Sequence, residues 1–277
     1  MTADVWSPVL EIGAWDAATS EARLIAARAV AESLGPAYSF AGLATYSLGN
    51  QTREVAQFTY DGVDFVLTPG ASAALLGYDR AQPFRPTASQ NEEWSESLGG
   101  TGWALSEYLN AALTPLRRTS IPPLLVEVAA QRFAYSCLGD SQADAFARVT
   151  SSLNAPFRLP TADEWEYLCA AGTRTLFRWG DDSPPTNSES DRSWTGHCVP
   201  NAFGLLLNSS TYTNELCEGP TLRGGDGGCA VCGGASGFAT WVPFASSFAM
   251  PDEEVAGWYI DDVVMRRVRT IHPPFAE

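Results

Sequence analysis

Pro160 followed by Thr161-Ala162-Asp163-Glu164 fixes the start of one helix to a single residue. The Thr161 hydroxyl is placed to accept from the Glu164 amide while the Glu164 carboxylate reaches back to the Thr161 amide, the reciprocal pairing of a capping box. Asp163 and Glu164 add negative charge at the positive end of the helix dipole. Trp165, Leu168 and Cys169 continue as an apolar stripe, and Gly172 ends the helix. Directly after it, over 173–256, Gly and Pro recur at short intervals, which predicts a loop-rich second half. With 18 prolines, 24 glycines and nine tryptophans in 277 residues, irregular segments held by aromatic packing are expected, not a helical bundle. An apolar fraction of 45% is enough for a sizeable core.

The other elements are shorter. Residues 16–34 read as an amphipathic helix capped by Thr19 or Ser20, with Leu24, Ala27, Ala31 and Leu34 on one face and Gly35-Pro36 as the stop. Residues 55–68 alternate through Phe58, Tyr60, Val63, Phe65 and Leu67 about an Asp61-Gly62 hairpin turn. The polar stretch 80–101 reads as a surface loop, and 103–113 as a short helix. Residues 116–128 look strand-like, with Pro122-Pro123 confining part of them to an edge. Residues 141–153 form a further helix candidate with Ala145, Phe146 and Val149 inward, and 256–270 a strand pair, 258–260 and 263–268, around Asp261-Asp262. Without a repeat or linker, one domain spanning 1–277 is expected, with 1–36 as an N-terminal helical appendage.

Charge and cysteine usage narrow the function classes. A formal charge of −15, from 32 acidic against 17 basic residues, repels phosphate backbones and anionic lipids, so neither nucleic acid nor membrane is expected as a partner. No apolar run approaches the roughly 20 residues of a membrane span. The first 13 residues lack the pattern of a secretion signal, which points to the cytoplasm. There the six cysteines are reduced by default, and any chemistry they do is metal or redox chemistry.

Arg158-Leu159-Pro160-Thr161-Ala162-Asp163-Glu164-Trp165-Glu166-Tyr167 closely resembles the signature of the formylglycine-generating enzyme, or sulfatase-modifying factor, family. Three further blocks follow in the family's order: Phe177-Arg178-Trp179-Gly180-Asp181, Pro200-Asn201-Ala202-Phe203-Gly204-Leu205 and Arg223-Gly224-Gly225. Phe65-Val66-Leu67-Thr68-Pro69-Gly70 is similar to its early strand and Pro-Gly turn, so the resemblance runs over about 55–268. It implies an α+β fold related to C-type lectins, with few short helices and strands and extensive loops. Members oxidise a peptidyl cysteine to formylglycine with copper(I) and dioxygen; other branches bind ligands or proteins without that chemistry, or make sulfur–carbon bonds on iron. As the iron branch uses three histidines, the two here, His197 and His272, exclude it within this chain.

The resemblance assigns the chemistry to Cys229 and Cys232. Copper(I) is soft and prefers thiolates. Cys229 lies four residues after Gly225, where the family places its first copper cysteine; the second family position falls at Gly234, and Cys232 stands two residues short of it. Asp226 occupies the place of the family's serine after Arg-Gly-Gly, which puts it in the binding set. The pair also reads as two incidental loop thiols, as a redox disulfide or as an adventitious zinc site, although one Cys-x-x-Cys alone supplies only half of the four ligands that structural zinc wants. The family often holds structural calcium in its loop-rich half, for which Asn208, Asn214 and Glu215 are candidate ligands.

Two functions therefore stand side by side. One is a copper(I)- and O2-dependent oxidase of a peptidyl cysteine, with Cys229 and Cys232 as metal ligands. The other is a non-catalytic lectin-like module that binds a protein or small ligand through its C-terminal loops, with Tyr212, Trp241, Phe244 and Phe248 as contact aromatics. The same rings read equally as core.

Overall fold

The computed structural model describes residues 7–98, 102–132, 142–183, 196–219, 221–235, 237–249 and 263–272. Helices α1 (Ile12–Ala17) and α2 (Ser20–Leu34) open the chain, and strands β1 (Tyr38–Leu48), β2 (Gln51–Tyr60), β3 (Val63–Thr68) and β4 (Ala71–Leu76) follow. Next come α3 (Ala88–Leu98), α4 (Leu105–Ala112), β5 (Arg117–Ile121), β6 (Leu124–Glu127), β7 (Gln131–Arg132), α5 (Gln142–Ser152) and α6 (Ala162–Ala170). The loop-rich half holds β8 (Asn214–Cys217), β9 (Thr221–Arg223), α7 (Cys229–Cys232), a 3-10 helix at Gly237–Phe244, β10 (Val263–Met265) and β11 (Val268–Thr270). The chain is thus α+β. Among the described residues no helix is long and apolar enough to cross a membrane.

The principal sheet has the order β1-β2-β3-β6-β11 with every neighbour antiparallel. Asp61 and Gly62 both take positive φ, 50° and 73°, as a two-residue hairpin turn requires. A second sheet, β7-β10-β8-β9, joins β7 to three strands of the loop-rich half, and β4 pairs with β5 in a third. Pro122-Pro123 marks the junction between β5 and β6; β6 itself is interior to the five-stranded sheet, not at its edge.

Thr19 caps α2 by accepting from the Ala22 amide. The buried face of α2 is Ala26, Ala27, Val30 and Leu34, packed with Phe58, Phe65, Leu67 and Leu125 of the principal sheet. The segment expected as an appendage is tied in further: Trp15 Nε1 donates to the Glu54 carbonyl at 2.8 Å, and Arg53 clamps the Asp16 carboxylate at 2.7 and 2.8 Å. The stretch expected as a polar surface loop, 80–101, contains α3. Its Trp94 is buried among Leu105, Leu109 and Phe238, and that single ring gives an otherwise polar helix a docking face.

The capping box on α6 forms as predicted, at 3.1 Å from Glu164 N to Thr161 Oγ1 and 2.8 Å from Thr161 N to Glu164 Oε2. Arg158 adds two bonds of 2.7 Å to the same carboxylate. Ala171 ends the helix in the left-handed conformation. One expected strand is divided. Residues 258–260 lie outside the described residues, and 263–268 is not one strand: β10 runs parallel to β8, whereas β11 joins β6 in the other sheet. The break falls at Arg266, whose fully buried guanidinium donates to the carbonyls of Glu127, Val128 and Leu206 and lies bidentate on Glu215 at 2.8 and 2.9 Å.

Removing one partner of such a pair leaves the other charge buried. Arg266→Met is therefore expected to destabilise the protein by about 3–5 kcal/mol. Urea unfolding of the variant against the parent protein checks this, and a loss under about 1 kcal/mol would contradict the hub role.

Candidate functional site

The site is built from a turn that only glycine permits. β9 ends at Arg223, and Gly224 and Gly225 follow with φ of 72° and 74°. A Cβ on Gly225 would lie 2.5 Å from the Thr211 carbonyl oxygen, and one on Gly224 would lie 2.9 Å from the Trp165 ring. Asn214 holds both residues in place, its amide nitrogen donating to the Gly224 and Gly225 carbonyls at 2.6 and 3.1 Å. The Thr211 carbonyl then accepts from the Asp226 and Gly228 amides.

Asp226 is the device that sets the next turn. Its buried carboxylate accepts from the Gly228 amide at 2.9 Å and from the Ala230 amide at 2.8 Å, while its own carbonyl accepts from Cys229 N. These are the amides that the start of a helix leaves without partners. The outcome is α7, closed by Cys232 N to Gly228 O and Gly233 N to Cys229 O, both 2.8 Å. Asp226 is thus engaged with backbone amides.

Cys229 and Cys232 are both exposed. Three residues apart on one helical turn, they share a face. Tyr212 lies against this turn: its ring fills the space above Gly228, where a Cβ would come within 2.2 Å, and its hydroxyl is 3.7 Å from Cys232 Sγ. Tyr212 itself is 38% exposed, so the rim of the site combines two thiols and one phenol.

The remaining expectations fare differently. Trp241, Phe244 and Phe248 are buried in an aromatic cluster with Phe177 and Phe238, and they offer no contact surface. The reason is the 3-10 helix Gly237–Phe244, which is apolar but for Thr240 and buried along its length. Of the calcium candidates, Glu215 is held by Arg266. The amide nitrogens of Asn214 and Asn208 donate to carbonyls, Asn208 to that of Pro243 at 3.1 Å, while the Asn208 side-chain oxygen has no partner among the described residues. Among the described residues no group of three or more His, Cys, Asp or Glu side chains is gathered to hold a metal.

Of the other cysteines, Cys137 lies outside the described residues and Cys198 is exposed. Cys169 and Cys217 are fully buried, and burial pushes the Cys169 thiol up to about 11 and the Cys217 thiol higher still. His197 is buried against Trp241 and Phe244. Sequence reasoning missed the capping role of Asp226. Its signal was present: an Asp followed by Gly-Gly and then a short apolar run is an Asx-type turn leading into a helical turn.

Residues 137–212 match the family model described as Sulfatase-modifying factor enzyme 1-like domain. The matched segment includes the capped helix α6 and ends at Tyr212, before Asp226 and the two cysteines. No curated protein matches the chain.

Asp226→Ala removes two backbone acceptors and is expected to cost about 1–2 kcal/mol; Asp226→Asn, which keeps one acceptor oxygen, should cost less. Thermal unfolding of the two variants checks the ranking. In the folded protein at pH 8, a thiol reagent is expected to modify Cys229 and Cys232 while sparing Cys169 and Cys217 until unfolding. As the folded pKa of Cys169 is raised from 9.0 to about 11, its contribution to stability is full below pH 9 and declines as the pH rises from 9 through 11.

Proposed function

We propose that the chain, whose residues 137–212 match the sulfatase-modifying factor family model, is a formylglycine-generating-type oxidase of a peptidyl cysteine, with Cys229 and Cys232 as its copper(I) ligands. The observation that carries this reading is the placing of two exposed thiols on one capped turn. We take the α+β body as related to C-type lectins, with 1–277 forming one domain, and the reducing cytoplasm as the compartment that keeps such a dithiol available.

The donor set suits the ion. Two soft thiolates favour copper(I), and ligation itself favours the deprotonated form. Because both sulfurs face solvent, a substrate thiol can approach the pair without displacing packed structure. When bound, copper(I) supplies the electrons with which dioxygen is activated. The chain's own part is positional. Asp226 holds the turn, Gly224 and Gly225 let the backbone leave β9 at the angle required, and Tyr212 covers one flank of Cys232. Gly233 and Gly234 leave the other flank without side chains, which gives an extended peptide room to lie across the thiols.

A non-catalytic lectin-like module is the second reading, and the exposed Tyr212 ring at the same rim favours it. Trp241 and Phe244 are no longer part of that surface. The two readings differ in what the sulfurs do. Under anaerobic competition for copper(I), the intact protein is expected to bind one equivalent, and Cys229→Ser or Cys232→Ser to lose it. Oxygen uptake with a cysteine-containing peptide should vanish in the same variants. If the intact protein binds copper(I) no more tightly than the double serine variant, the oxidase reading fails; peptide binding retained in that variant would then support the module.

A further inference from the structure

Strand β11 is an edge of the principal sheet, and its outward side is only partly closed. Val268 exchanges both of its backbone bonds with Arg158, at 2.9 and 3.0 Å. In an antiparallel ladder the groups that face one way recur at every second residue. Thr270 therefore presents its N–H and C=O on the same side as Val268, while Ile271 turns inward and donates to the Pro123 carbonyl at 2.9 Å. The residue opposite Thr270 in this register is Pro156, which has no N–H to give. The ladder stops there, and Thr270 has no outward backbone bond among the described residues.

A cavity of about 370 Å³ opens at this point, lined by residues 269–272 together with Leu34, Pro156 and Arg158. Successive residues of a strand point to opposite faces of the sheet. A cavity touched by all of 269–272 thus runs along the edge of β11, not over one face. It lies where a further strand would pair.

The chain carries a charge of −15, yet this edge is basic. Arg158 is already committed, bidentate on Glu164 at 2.7 Å and 3.7 Å from Glu218. Arg269 is not. Its guanidinium lies half-buried, 5.1 Å from the Tyr38 ring, with no hydrogen bond or ion pair among the described residues. His272 is exposed at the same cavity and likewise has none. The Thr270 hydroxyl accepts from Arg158 Nη2 at 2.9 Å, which leaves its own hydrogen to donate. Leu34, Pro156 and Ile271 supply apolar wall between these groups.

We infer that the open edge of β11 docks an extended acidic peptide segment. The peptide adds a short strand at Thr270 and brings a carboxylate to Arg269 and His272. A free anion would meet the cations but leave the Thr270 carbonyl unpaired, and a basic peptide would be repelled. The Arg158–Val268 pair closes one end, so the added strand pairs only from Thr270 onward. None of these residues belongs to the Cys229–Cys232 turn, and the inference does not depend on the oxidase proposal.

The test uses the full chain and a labelled, end-blocked peptide of alternating valine and glutamate, with its valine–lysine counterpart as control. By fluorescence anisotropy the glutamate peptide is expected to bind about tenfold or more tightly than the lysine one, the scale of one charge-assisted bond. Arg269→Gln and His272→Gln should each weaken it, and Arg269→Lys should weaken it less than Arg269→Gln. If Arg269→Gln does not fold, the exposed His272→Gln still decides. In the complex, hydrogen exchange of the Thr270 amide should slow, while that of Val268, already bonded, should not change. Equal affinity for the two peptides overturns the proposal, as does glutamate-peptide binding that leaves Thr270 exchange unaltered. So does Thr270 protection that grows with protein concentration without peptide, because the occupant would then be a second copy of the chain. The peptide carries no cysteine, and the Cys229→Ser, Cys232→Ser double variant should bind it as the parent does, so this inference and the oxidase reading fail separately.

Discussion

The guanidinium of Arg266 is the constraint on which the rest of the structure depends. It sits at the point where the chain leaves the loop-rich sheet and enters the principal one, between β10 and β11. From there it reaches carbonyls at the end of β6 and just beyond it, the carbonyl of Leu206 in the loop-rich half, and the carboxylate of Glu215 on β8. One side chain thereby donates to three backbone acceptors and neutralises one buried acid. Without it the two sheets would meet with a buried acid and carbonyls short of donors, each costly to bury. Because both sheets are pinned at this seam, β8 and β9 have a fixed platform from which the Gly224-Gly225 turn projects.

That turn shows how a reactive segment is presented from a closely packed body. The backbone approaches within contact distance of Trp165 on one side and the Thr211 carbonyl on the other, and only residues lacking Cβ pass. Once through, the chain has no large side chain to bury, and a four-residue helix has too few internal bonds to persist unaided. Asp226 resolves this by accepting two amides with one carboxylate. The acid is buried and the thiols are exposed, so rigidity and access are divided between neighbouring residues. An exposed carboxylate at the same position would compete for solvent and leave the turn frayed.

How much of this was legible in the sequence depended on the range of the interactions. The Thr161 capping box, the Thr19 cap and the Asp61-Gly62 hairpin were read correctly because each is decided within four residues. The helix α3 was not, because its stabilising contact is one ring, Trp94, docking on residues outside the helix, from Leu105 and Leu109 to the distant Phe238. The split at Arg266 was likewise invisible, since alternating Val residues on both sides suggest a continuous strand. At the candidate site, the thiol pair was legible from its spacing after Arg-Gly-Gly, whereas the fates of Trp241, Phe244 and Glu215 were not. An aromatic-rich loop and a buried aromatic turn have the same composition, and an acid destined for a distant arginine resembles one that is free for a cation.

A chain with an excess of 15 negative charges would be expected to put its arginines where acids are plentiful. Among the described residues four are instead buried, Arg53, Arg178, Arg223 and Arg266, and they divide by partner. Arg53 is matched by Asp16 and Arg266 by Glu215, each bidentate, so both can be desolvated at a tolerable cost. Arg178 has no carboxylate partner among the described residues; it lies against the Trp179 ring, two carbonyls and the Cys169 thiol. A neutral side chain of similar volume would fill that space more favourably, so the charge at this position calls for a reason beyond packing.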